Sequence, residues 1–298
     1  MENAKDIRDR ISSIRDTKKI TNAMYLIASV KMRKAKADLD KTRPYFAVLQ
    51  SEIKRLFRIA GDVESPYYYP INAKEKTVGS HGILIVTADK GLAGVYNQNV
   101  LKYSLKMLGD YPDSKLFVVG EYGRQFFQQQ HIPVEEDFQY TAQNPTLRRA
   151  RDICAKLLSL YDAKRLDKIY IVYTDLKGGQ TEEVKMTRLL PFHRSDFASA
   201  DPVDDKFEYE PSVAEVLDHI TRSYVSGFVY SALVDSYCSE QNARMAAMRA
   251  ANENADGILS ALSREYNRVR QSAITQEITE VSSGARAMKK KVLQHGNR

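Results

Sequence analysis

Asp89 and Lys90 are the residues best placed to do chemistry. They follow an apolar run, G-I-L-I-V-T-A-D (82–89), and open the turn K-G-L-A-G ahead of a helical pattern. A carboxylate and an amine at the end of a strand could act as an acid and base pair, and a glycine turn there could cradle a phosphate. The detail argues against both. T-A-D-K-G-L-A-G-V-Y-N has glycines only at 91 and 94, which fits neither G-x-G-x-x-G nor a phosphate loop ending in G-K-[ST]. Neighbours at a strand end diverge, and no third group completes a site. His81, His131, His193, His219 and His295 stand singly, without H-E-x-x-H spacing. Cys154 and Cys238 form no C-x-x-C, Cys154 falls on an amphipathic helical pattern that suits a buried thiol, and there is no G-x-S-x-G. The expectation is no catalytic site, no metal and no cofactor in this chain.

Recognition is the other chemistry on offer. In R-Q-S-A-I-T-Q-E-I-T-E (270–280) the apolar residues keep helical spacing, while Gln271, Ser272, Thr275, Gln276 and Thr279 fill the positions between them. Ser and Thr each cost a helix roughly half a kcal/mol relative to Ala, so a partner is expected to recover that cost. K-M-R-K-A-K (31–36) is the place to look for nucleic-acid binding, but Met32 and Ala35 continue an apolar stripe and the chain has no Trp. A basic coiled-coil nucleic-acid binder and a nucleotide-binding α/β enzyme therefore stay as alternatives.

The elements that must position these residues are read from proline, charge and periodicity. The 298 residues carry 45 Lys and Arg against 38 Asp and Glu, a net charge of +7. Residues 1–60 hold about +8 and residues 241–298 about +5, so both ends favour acidic surroundings. All nine prolines fall between Pro44 and Pro211. The first segment shows Ile7, Ile11, Ile14, Ile20, Met24, Ile27, Met32, Ala35 and Leu39 at helical spacing, with Pro44 as its expected kink or break. The last shows Leu217, Ile220, Tyr224 and Phe228, then Met245 and Met248, then a heptad seam of Ala255, Leu259, Leu262, Tyr266, Val269 and Ala273. A helix from 212 to 288 would be on the order of 115 Å long, too long to lie within a compact domain of this size. The two segments are therefore expected to form an antiparallel two-helix coiled coil on a central domain.

Between them, strands at 82–89, 115–120 and 167–175 alternate with helices through Phe127 and over 145–161. A further short strand is expected at 134–138, and a K-G-G-Q turn leads to an antiparallel partner strand, T-E-E-V-K-M-T-R-L-L-P. The fold class is α/β plus long helices, with a mostly parallel Rossmann-like central domain. The expected divisions are 1–60 for the first long helix, 61–77 for a linker, 78–208 for the α/β domain, 209–288 for the second long helix and 289–298 for a basic tail. No apolar run is long enough to span a membrane, and the start lacks a signal-peptide core, so a cytoplasmic, unprocessed chain is expected.

I-R-D-R-I-S-S-I-R-D-T-K-K-I-T-N-A-M-Y-L-I-A-S-V-K-M-R-K-A at the start resembles the amino-terminal signature of the gamma subunit of the F-type ATP synthase, bacterial type. E-Q-N-A-R-M-A-A-M-R-A-A-N-E-N-A and Y-N-R-V-R-Q-S-A-I-T-Q-E-I-T-E-V-S-S-G-A resemble its carboxy-terminal signature, and T-A-D-K-G-L-A-G-V-Y-N its central motif. The resemblance implies a central-stalk rotor that couples ion-driven rotation of a membrane c-ring to ATP synthesis or hydrolysis. The implied partners are the alpha and beta subunits of a hexamer, the epsilon subunit and the c-ring, at the cytoplasmic face of the plasma membrane without insertion into it. By motif position, Arg244, Arg270, Gln271, Thr275 and Glu277 would contact the hexamer, as would Met24, Lys31, Met32 and Arg33 on the first helix. Tyr209 would lie near the ring and epsilon. The sequence departs from the family where it continues past S-G-A into A-M-K-K-K-V-L-Q-H-G-N-R, and residues 289–298 are expected to emerge from the hexamer or stay disordered. It carries Tyr25, Val30 and Ala93 where the family more often has other residues, and no regulatory dithiol insertion.

Overall fold

The computed structural model describes residues 4–60, 63–69, 79–177, 181–197 and 209–295. The side chains at 60, 176–177, 181–182 and 287–295 lie outside the described set, as do the K-G-G-Q glycines and the expected behaviour of Lys289 to Lys291. Two helices dominate, α1 (Ala4–Ala60) and α5 (Val213–His295). Between them come β1 (His81–Val86), α2 (Tyr96–Asp110), β2 (Lys115–Val119), α3 (Glu121–Gln129), α4 (Leu147–Asp162), β3 (Lys168–Lys177) and β4 (Thr181–Leu190). The chain divides into two compact units, Met1–Leu26 with Ala247–Arg298, and Ile27–Ala246.

In the first unit α1 and α5 pair antiparallel. Ile7, Ile11 and Leu262 are buried together, with Ile14, Leu259, Tyr266 and Val269 packed on them. Each buried Ile or Leu contributes about 1.5–3 kcal/mol. Further along, Lys18 pairs with Asp256 and the Thr21 hydroxyl with the Asn252 side-chain oxygen. Polar pairs at such positions cost stability and fix register. Strict four-and-three spacing from Ile7 and Ile14 leads to Lys18 and Thr21, so the expected stripe needs correction: Ile20 is 61% exposed.

The second unit holds a four-stranded sheet in the order β2-β1-β3-β4, with β1 parallel to β2 and β3, and β4 antiparallel to β3. Strand alternation sends Leu84 and Val86 to one face, against α4 and the α1 and α5 segments of this unit. Ile83 and Ile85 go to the other face, against α2 and α3. The mostly parallel sheet with one hairpin matches the sequence reading. The strand expected at 134–138 does not form. Preceded by Pro133 and carrying Glu135, Glu136 and Asp137, the segment only touches the β2 edge, through the Glu135 amide on the Leu116 carbonyl at 2.9 Å and a bridge between Val119 and Tyr140. Residues 63–69 pack on the sheet unit: Tyr67 and Tyr68 are 1% and 4% exposed, and the Tyr67 hydroxyl donates to Asp162 at 2.9 Å.

Pro44 lies inside α1 without ending it. A proline forfeits one backbone bond, and packing on α5 outweighs that loss here: Phe46, two residues on, lies against Gly227 of α5, where an added Cβ would fall 2.0 Å from the Phe46 ring. In the same unit Ala28 and Ala35 are buried while Ile27 is 54% exposed, a second correction to the stripe. α5 is N-capped by Ser212, whose hydroxyl accepts from the Glu215 amide at 3.2 Å. Among the described residues no helix is long and apolar enough to cross a membrane.

One half-buried charge is set against the fold. Burial, and next the nearby Asp175 carboxylate, push Asp235 of α5 up to about 6, against the opposing pull of Arg43, Ser231 and Lys185. Lys185 is itself paired with Asp175. Between about pH 4 and 6 the folded chain keeps a proton on Asp235 that the unfolded chain releases, so this carboxyl lowers stability progressively as pH rises through that window. Asp235→Asn is expected to raise stability at pH 7.5 by about 1–3 kcal/mol and to flatten its dependence between about pH 4 and 6, measured by urea denaturation across pH. Gly227→Ala is expected to cost about 1–3 kcal/mol through the clash with Phe46, with partial recovery in Gly227→Ala/Phe46→Leu, read in the same way.

Candidate functional site

The carboxyl ends of β1 and β3 form the crevice where a sheet of this strand order ordinarily takes a ligand. Here the chain's own residues occupy it. Asp89 accepts from the amides of Glu121 at 3.1 Å and Gln143 at 3.1 Å, from the Ala142 amide at 3.1 and 3.2 Å, and from the Thr141 hydroxyl. Asn97, at the end of the same motif, accepts from the Ala88 amide at 3.0 Å. At the end of β3 the Thr174 amide donates to Ser236 of α5 at 3.1 Å. The aspartate and asparagine of T-A-D-K-G-L-A-G-V-Y-N thus serve the backbone, and Asp89 shares no site with Lys90, whose side chain is exposed. Among the described residues no group of His, Cys, Asp and Glu could hold a metal ion. Burial pushes the Cys154 thiol up to about 12 and Cys238 up to about 11, which leaves both inert near neutral pH.

The other candidate surface is the far end of α5. Pairing with α1 ends near Val269, opposite Ile7, and from Arg270 to Arg286 every residue is exposed. Arg270, Gln271, Thr275 and Glu277 all lie on this solitary stretch. So do Ala273 and three apolar side chains, Ile274 at 46%, Ile278 at 64% and Val281 at 69% exposure. Ala273 therefore lies beyond the seam expected to include it. The polar residues satisfy one another along the helix. The Thr275 hydroxyl donates to the Gln271 carbonyl at 2.9 Å, Thr279 to the Thr275 carbonyl at 2.7 Å, and the Gln276 amide to Glu280 at 3.0 Å. Arg268, Gln271, Ser272, Thr275, Gln276, Thr279 and Glu280 line a shallow groove of about 500 Å³ on this surface.

On α1, Met24, Lys31 and Met32 are half-buried and Arg33 is exposed. Met32 packs on the sheet unit's core, and its carbonyl lies 3.9 Å from the Cys238 thiol. Tyr209 is half-buried and accepts from Arg55 at 3.3 Å. Arg244 is set apart from the exposed group: its side chain is 11% exposed and paired with Glu240, four residues earlier on α5. Glu240 was not singled out from the sequence, although E-Q-N-A-R places a carboxylate and a guanidinium at the spacing that lets them meet on a helix.

A family model described as ATP synthase matches residues 3–288. The ATP synthase gamma chain of Caldanaerobacter subterraneus subsp. tengcongensis is 41% identical over 94% of this chain and 98% of its own length. The chain belongs to the ATP synthase gamma-chain family. A second gamma chain, from Ruminiclostridium cellulolyticum, is 40% identical over 96% of this chain and 99% of its own. A sodium-ion-specific member from Acetobacterium woodii is 33% identical over 96% and 99%. A chain in the F1 and c-ring structure of Euglena gracilis mitochondrial ATP synthase shares the fold, with a TM-score of 0.65 at 15% identity over 96% of this chain and 94% of that one.

Because every residue from Arg270 to Arg286 is exposed, Gln271→Ala and Thr275→Ala are each expected to change the stability of the chain alone by no more than about 0.5 kcal/mol. Thermal unfolding checks this and separates any loss in an assembly from misfolding.

Proposed function

We propose that this gamma-family chain is the central-stalk rotor of an F-type ATP synthase. It couples rotation of an ion-driven membrane ring to ATP synthesis or hydrolysis at the beta subunits of an alpha and beta hexamer. The observation that carries this reading is the solitary end of α5, where polar groups and three exposed apolar side chains share one unpaired helix. A helix with nothing beside it loses stability by exposing Ile274, Ile278 and Val281, and a sleeve supplied by the hexamer removes that loss. Arg270, Gln271, Thr275 and Glu277 then contact hexamer loops, with Met24, Lys31, Met32 and Arg33 of α1 making further contacts. Tyr209 faces the ring and epsilon. ATP chemistry belongs to the beta subunits, and the chain works peripherally at the cytoplasmic face of the bacterial plasma membrane.

A rotor must bind the successive states of its stator differently, since only differential contact shifts an equilibrium. Coupling of about 1–3 kcal/mol per site is the usual scale. Neutral hydrogen bonds at roughly 0.5–1.5 kcal/mol each, with a few charge-assisted ones, supply that without locking one orientation. The excess of Lys and Arg near both termini suits acidic loops, attracting at long range while the short contacts decide register.

Expressed in its own cell, the tagged chain is expected to co-purify with a nucleotide-hydrolysing hexamer. Arg270→Ala, Gln271→Ala and Thr275→Ala should each lower ion pumping per ATP by about two- to tenfold while leaving assembly intact. Failure to co-purify with such a hexamer would overturn the reading.

A further inference from the structure

Arg244 bridges two elements. One arm of the guanidinium donates to Glu240 at 2.5 Å and the other to the backbone carbonyl of Gly91 at 3.0 Å. Both charged side chains are close to buried, 11% exposed for Arg244 and 5% for Glu240. Breaking a pair in such surroundings leaves a charge without its partner, which is why geometry of this kind holds. Gly91 belongs to the turn between β1 and α2, and that turn touches α5 again where an added Cβ on Gly94 would meet the Ala243 carbonyl at 3.7 Å.

The turn needs holding. Leu92 sits in the left-handed region at φ 61, a conformation that is unfavourable for a non-glycine residue and persists where the surroundings enforce it. Leu92 and Val95 are 65% and 59% exposed, while Ala93 between them is buried. At the strand side the turn is anchored by Asp89 and Asn97; at its outer side the Arg244 contact reaches it from α5.

We infer that Arg244 is a positioning residue: with Glu240 it latches the turn from Lys90 to Val95 onto α5 and so fixes how Leu92 and Val95 are presented. The consequence for coupling rests on the rotor reading. Substitutions at Arg244 then disturb coupling by loosening the turn, whereas those at Arg270, Gln271 or Thr275 remove contacts with another subunit.

The test is hydrogen exchange of the whole chain, alone and in the purified complex, for Arg244→Ala, Arg244→Lys and Glu240→Gln. Arg244→Ala is expected to speed exchange of the Tyr96 and Asn99 amides, which donate to the turn's Ala93 and Val95 carbonyls at 3.1 and 2.9 Å, by about tenfold or more, with α5 beyond 250 unchanged. Glu240→Gln, which keeps an acceptor and loses the charge, should fall between this variant and the parent, and Arg244→Lys should restore the turn only in part. These two milder changes carry the test if Arg244→Ala does not fold. Unchanged exchange of both amides in all three variants overturns the latch, and if coupling is lost at the same time it assigns Arg244 to a direct subunit contact. Faster exchange in a chain that never co-purifies with a hexamer supports the latch and overturns the rotor reading.

Discussion

Alternating steps of four and three apolar residues along α1 and α5 are the constraint on which the rest depends. An α-helix must bury such a stripe against another element, and two stripes that match over many turns can bury each other with no third layer. In the unit containing both termini the seam closes over Ile7, Ile11 and Leu262. In the sheet unit the same two helices serve as one covering layer, with Leu39, Ile53 and Leu56 of α1 and Leu217, Val225 and Val229 of α5 in a core shared with α4 and the strands. A single pattern thus does two jobs, pairing helices in one place and roofing a sheet in the other. The lengths follow: α5 outlasts α1 at one end, and the surplus, from Arg270 to Arg286, is exposed.

The sheet unit puts a familiar architecture to an unfamiliar use. Its strand order leaves a crevice at the carboxyl ends of β1 and β3, and α5 runs through that place. Ser236 binds β3 and Arg244, itself held by Glu240, binds the turn that would otherwise face a ligand. Of the glycines of K-G-L-A-G, Gly94 serves the turn itself through its φ of 53, and an added Cβ on Gly91 would meet nothing within 4 Å, where a nucleotide-binding turn would use its glycines for close approach to a phosphate. Asp89 is consumed in the same way, its oxygens shared among backbone amides and one hydroxyl.

Much of this was legible in the sequence because it is local or periodic. The clustering of prolines, the heptads and the buried runs of β1 and β3 all speak for themselves. Ile20 and Ile27 misled because size was taken over phase: strict spacing selects the less apolar Lys18, Thr21 and Ala28, and register is set by what those residues meet on the partner helix. The segment 134–138 looked like a strand on the strength of Val134 and Phe138. Phe138 is indeed buried, but against Phe117 from a coil, since burial does not require a ladder. The double engagement of Arg244 lay beyond the sequence, because Gly91 is 153 residues away and only the folded chain brings its carbonyl within reach.

The hydroxyls of Thr275 and Thr279 have a consequence for speed. Each is already bonded to a carbonyl one turn back on its own helix. When a neighbouring loop lets go, such a hydroxyl has a fallback acceptor within its own side-chain rotation, so release strands no donor. In the proposed rotor the ridges between successive angular positions would then stay low, and the surface would behave as a bearing with little static friction. Lysine or glutamate in the same places would grip harder and pass each ridge more slowly. In that rotor the modest helix propensity of threonine would be the counterpart of smooth turning.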